Sequence, residues 1–148
     1  MKNTTKIFAL FMLLSIASSV FAFSQKIDKT HPKYEQIEAN LLEGLKIGNF
    51  GLKLDVIYRL GEVRSARAVN PLIKVLRTDK DERLRIVAAL ALMKINTERS
   101  IYMVKRVAIF GNNDKVRKMC KKFYNAHVIQ QINKFGESDN YRYASLIE

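Results

Sequence analysis

The chain predicts an all-α fold: a short solenoid of about three stacked helix pairs, with terminal helices covering its ends. Three observations carry that expectation. Apolar residues recur at helical spacing through residues 34–135. The pattern repeats at an offset of 32 residues. No stretch reads as a strand by alternation of polar and apolar residues.

The offset emerges when LKLDVIYRLGEV (52–63) is placed over LRIVAALALMKI (84–95). Leu52 falls on Leu84, Val56 on Ala88, Leu60 on Leu92 and Val63 on Ile95. A second shift adds Val116, Cys120 and Tyr124. First, fifth and ninth positions share one helical face, so these residues predict a continuous apolar seam. The other half of the unit follows the same offset. AVNPLIKVL (68–76) maps onto SIYMVKRVA (100–108), pairing Val69 with Ile101, Leu72 with Val104 and Val75 with Val107. Residue type recurs, rather than identity, and it does so in both helices.

The elements follow in order. Residues 1–24 have a basic start at Lys2 and Lys6, an apolar run, and small residues before Ser24. That is the layout of a secretory signal peptide, cleaved after Ala22 or after Ser24. The apolar run, about 17 residues, is at the short limit for a bilayer span. Residues 25–33 read as a linker and 34–135 as the repeat domain. The first helix spans 34–45 with Ile37, Leu41 and Leu42 inward, and KIGNFG turns the chain into the next helix at Leu52. Another helix starts near Ala68, with Pro71 admissible in its opening turn. RTDKDE breaks the pattern, and Asp79 or Asp81 caps the helix that runs to about Ile95. Thr97 caps the next, through Phe110; Gly111 stops it and Asp114 caps its successor. Residues 127–135 form a covering helix with Val128, Ile132 and Phe135 inward. Residues 136–148 are a polar tail, in which Tyr141, Leu146 and Ile147 are available for docking.

AVNPLIKVLRTDKDERLRIVAALALMKI (68–95) resembles one unit of the HEAT-like repeat, in the short form also found in phycobilisome-lyase proteins. Ala68, Val69, Pro71, Leu72 and Ile73 carry the first half of the pattern. Leu84, Arg85, Ala88, Ala89, Ala91 and Leu92 carry the second, and Leu60-Gly61 supplies the Leu-Gly of the preceding copy. The third copy departs, with Lys121 and Phe123 where Ala89 and Ala91 stand, so it is either a repeat or a cap. The resemblance implies a right-handed stack of helix pairs. It implies no lyase chemistry, because the chain shows no matching reactive constellation.

The composition constrains function. Formal net charge is +12, and removal of Lys2 and Lys6 leaves +10. Such a balance attracts polyanions. Export weighs against nucleic acid and leaves acidic polymers, anionic membrane or cell-wall surfaces and acidic proteins. The single cysteine, Cys120, rules out an internal disulfide and falls in an apolar register, as a buried filler would. His127 likewise aligns with inward positions, whereas His31 lies before Pro32. No metal-ligand spacing, phosphate loop or nucleophile elbow occurs, so neither catalysis nor a cofactor is expected.

The candidate binding residues are therefore basic. Lys53, Arg85 and Arg117 hold the second position of each second helix. They form either a row that grips an extended acidic partner or partners for the turn carboxylates Asp79, Asp81 and Asp114. KVRKMCKK (115–122) is denser, and its Lys118, Lys121 and Lys122, with Lys105 and Arg106 in the helix before, mark an anion-attracting patch. Tyr58, Tyr102 and Tyr124 serve either that surface or the core. Two functions follow: an exported, periplasmic or secreted, non-catalytic module that binds a protein on its second-helix side, or an electrostatic binder of polyanions or anionic membranes.

Overall fold

α4 (Glu82–Ile95) lies at the centre of the molecule and packs against four other helices. The computed structural model describes residues 29–135. The expected signal peptide, most of the linker and the tail lie outside them, as does the side chain of Phe135. Among the described residues the fold is all-helical. α1 (Tyr34–Ile47) and α2 (Phe50–Glu62) form the first pair. A single 3-10 turn (Ala66–Ala68) then leads into α3 (Val69–Thr78), which pairs with α4. α5 (Glu98–Phe110) and α6 (Asp114–Phe135) complete the third pair. The second helices α2, α4 and α6 make one layer, and α3 and α5 touch in the other.

Local chemistry sets the boundaries. Asn49 caps α2 through the Leu52 amide at 3.1 Å. Asp81 caps α4 by accepting from the Arg83 amide at 2.8 Å, while Asp79 accepts from the Asp81 amide within the turn. Thr97 and Ser100 form a reciprocal capping box on α5. α4 ends at Asn96 in the left-handed conformation, φ 59°, which Asn tolerates better than most side chains. The expected cap at Asp114 is displaced by one residue. Asn113 accepts from the Val116 amide at 2.9 Å, and Asp114 instead meets Arg117.

The seam forms as its period predicts. Val56, Ala88 and Cys120 are buried, as are Leu60, Leu92 and Tyr124. Leu72 and Val104 bury the first-helix side. Each large aliphatic side chain so removed from water contributes about 1.5–3 kcal/mol. Leu52 departs from its register and is 47% exposed. Leu84 and Val116, its counterparts, are buried, but α2 belongs to the first pair and no described helix pair lies before it. The separate covering helix expected at 127–135 is instead the continuation of α6. No glycine or proline interrupts 114–135, so nothing stops the hydrogen-bond series. Val128 is buried and Ile132 partly so.

Two glycines of α2 differ in kind. A Cβ on Gly61 would sit 2.8 Å from the Ala91 Cα, because α2 and α4 approach closely there. A Cβ on Gly51 would meet nothing nearer than 3.8 Å. Gly51→Ala should stabilise by about 0.5–1 kcal/mol through helix propensity. Gly61→Ala should destabilise by about 1–3 kcal/mol through overpacking. Equal denaturation midpoints for the two variants would show that the α2–α4 approach is not tight.

Candidate functional site

The exposed side of α2, α4 and α6 is the surface on which neighbouring units are tied together by side chains. Arg83 of α4 stacks over the Phe50 ring of α2, 4.2 Å from its centroid. Lys94 of α4 lies 4.4 Å from the Tyr58 centroid and pairs with Glu62. Lys115 of α6 reaches Glu82 of α4 at 2.6 Å. Exposed pairs of this kind contribute little stability individually, but they hold side chains in register across units. The Arg83 guanidinium also holds the Asp81 carboxyl low, at about 2, so that cap stays ionised. Between α4 and α6 runs a groove of about 580 Å³, in which Leu90, Phe123 and Ile129 lie beside Lys94, Arg64 and His127.

The row of second positions does not present three free cations. Arg85 donates from Nε to the Leu76 carbonyl at 2.9 Å and from Nη2 to Asn112 Oδ1 at 3.0 Å. Arg117 donates to the Gly111 carbonyl at 2.9 Å and to Asp114 Oδ1 at 2.5 Å. The carbonyls at the end of a first helix are left without intrahelical donors, and a cation there also meets the negative end of the helix dipole. Both arginines thus join the two helices of a pair. Of the two alternatives read from the sequence, pairing with turn carboxylates holds for Asp114 with Arg117, whereas Arg85 meets the Leu76 carbonyl and Asn112 in place of Asp79 or Asp81. Lys53 stands apart, half-buried at the edge of a cleft of about 770 Å³ lined also by Leu42, Pro71 and Val75.

The basic run in α6 divides likewise. Lys115 and Arg117 are engaged, whereas Lys118, Lys121 and Lys122 are exposed and meet no carboxylate among the described residues. Lys105 is half-buried, 5.5 Å from the Tyr124 centroid, and Arg106 is exposed on α5. Tyr58 and Tyr102 are exposed, while Tyr124 joins the seam.

Cys120 and His127 are held in their neutral forms. Burial pushes the Cys120 thiol up to about 11, against a smaller opposing pull from Arg85. Burial lowers His127. Among the described residues no group of three or more His, Cys, Asp or Glu is placed to hold a metal ion, and no helix is long and apolar enough to cross a membrane.

Two features were not foreseen from the sequence. Glu38 is buried and accepts from Ser65 Oγ at 2.5 Å, Arg67 Nη1 at 3.2 Å and Tyr34 Oη at 3.3 Å, tying α1 to the loop after α2. Reading the period from Tyr34, Leu41 and Leu45 places Glu38 on the inward face, so the spacing contained that signal. Arg77 was the other, and only the fold brings it beside Arg85 and Arg106.

A family model described as HEAT repeats matches residues 38–120, more than half of the chain. No curated protein and no solved structure matches it.

The Cys120 thiol should react with a disulfide reagent only at the rate of unfolding. Its raised pKa stabilises the fold below pH 9, and that contribution is lost as pH rises from 9 towards about 11, because the unfolded thiol ionises first. Cys120→Val should flatten this part of the stability–pH curve. Rapid labelling of the native protein at pH 8 would contradict the buried, protonated thiol.

Proposed function

Because the chain belongs to the HEAT-repeat family, whose repeats are generally protein-interaction scaffolds and typically non-catalytic, we propose that it is an exported binding module that presents its second-helix face to a protein partner. The observation that carries this reading is the cross-unit registration of that face. Phe50, Tyr58 and the α4–α6 groove give a partner apolar area, and the Arg83, Lys94 and Lys115 contacts fix its geometry before binding. A surface ordered in advance loses less entropy on association. Exposed Tyr58 and Ile129 are the anchors. Export rests on the leader pattern of residues 1–24.

A second reading has its own support. Lys118, Lys121 and Lys122 remain uncompensated in a strongly basic chain, and they suit a polyanion or an anionic membrane or cell-wall surface. Salt separates the two readings, since polyanion binding weakens steeply with ionic strength and a packed apolar contact does not.

The full chain, immobilised and offered native envelope extract, should retain its protein partner at about 0.5 M salt, where charges are screened within a few ångströms. Tyr58→Ala with Ile129→Ala should weaken retention by about tenfold or more. Loss of the partner to salt and to Lys118→Glu, Lys121→Glu and Lys122→Glu, with Tyr58→Ala and Ile129→Ala neutral, would favour the electrostatic reading instead. The intact mass of the mature protein should correspond to a start at Phe23 or Gln25, and a retained Met1 would exclude cleavage.

A further inference from the structure

A notch of about 300 Å³ opens where the C-terminal ends of α3 and α5 meet the start of α4. Arg77, Arg85 and Arg106 line it together with Asn112, and Met103 and Phe110 stand beside them. No Asp or Glu lines it. Three guanidinium groups in one small concavity repel one another, and nothing within the notch balances them.

The three arginines are prepared differently. Arg85 is pinned through Nε and Nη2 by the Leu76 carbonyl and Asn112, while its Nη1 makes no hydrogen bond among the described residues. A guanidinium fixed in this way presents its remaining donors at a set angle. Arg77 and Arg106 are exposed and meet no carboxylate among the described residues. Their side chains are therefore available to close over a ligand from two sides. The chemistry they complement is a planar or tetrahedral oxyanion, taken by paired N–H donors.

Phe110 narrows the choice. It is 77% exposed at the rim, and Met103 extends its apolar surface into the notch. A phosphate polymer has nothing to place on that ring, and a membrane surface cannot enter so small a concavity. A polypeptide with two neighbouring carboxylates and one aromatic or aliphatic side chain satisfies both parts.

We propose that the Arg77–Arg85–Arg106 notch is a second docking site, on a different surface from the second-helix face, and that it takes an acidic segment of a protein partner carrying an apolar residue next to paired carboxylates. The proposal rests on the reading of the chain as a protein-binding module, but its test uses neither Tyr58 nor Ile129, so the two can fail separately.

The probe is a fluorescent peptide, Asp-Glu-Phe-Glu-Asp-Leu, titrated into the full chain at physiological salt and followed by anisotropy. Arg77→Gln with Arg106→Gln should weaken binding by about tenfold or more. Arg77→Lys with Arg106→Lys should weaken it by about threefold or more, because an ammonium keeps the charge and loses the fork. Lys118→Gln, Lys121→Gln and Lys122→Gln together should change it less than about twofold, since those residues lie outside the notch. An amide version of the peptide should not bind, and one lacking Phe and Leu should bind more weakly. Full binding by the Arg→Gln variant, or equal losses from the arginine and lysine variants, would overturn the proposal. So would polyphosphate or phosphatidylglycerol vesicles competing through Arg77 and Arg106 better than the peptide.

Discussion

The structure depends on how closely α2 and α4 approach. Gly61 lies against Ala91 with no room for a Cβ, and Ala88 and Ala89 are fully buried on the same helix. Small residues let two backbones come near, and the near approach brings Leu60 and Leu92 into one apolar layer. A helix pair cannot bury its apolar face alone, so the second pair must seat on the first before either is stable. α4 is the helix on which this turns. It contacts α2 and α6 in its own layer and α3 and α5 in the other. Bulk at Gly61 would therefore disturb the central helix as well as a single contact.

The arginines show how a repeat fold consumes hydrogen-bond donors. Arg85 and Arg117 occupy equivalent positions, and each donates to a carbonyl at the C-terminal end of the helix before its own. They satisfy backbone groups that a helix end leaves without partners. Each keeps its charge but has fewer N–H donors left for a ligand. Lys94 and Lys115 are spent on Glu62 and Glu82 across units. Among the described residues that stay exposed without a carboxylate partner are the three lysines of α6 and the arginines at the ends of α3 and α5.

Cys120 and His127 show the same conversion for chemistry. Both are residue types that invite a reactive reading. The repeat register puts Cys120 in the core and leaves His127 half-buried at the α4–α6 groove; burial raises the thiol and lowers the imidazole. Cys120 stands where Val56 and Ala88 stand, and it fills the same volume in the third unit. Its basic neighbours in sequence, Lys118, Lys121 and Lys122, point to solvent and do not activate it.

The sequence by itself determined the helical class, the period, the seam through Val56, Ala88 and Cys120, and the cap at Thr97, and it narrowed the cap of α4 to Asp79 or Asp81. These are local or periodic properties, and period and capping chemistry act over a few residues wherever the chain folds. The tertiary structure decided the rest. Leu52 is exposed because no described helix pair covers it. Glu38 is buried because Ser65 and Arg67 come from a separate loop to meet it. The candidate surface was legible only as a set of basic residues. Which of them are spent on carbonyls and which stay free depends on the partner each one meets in space, and those partners lie up to 33 residues away in the chain.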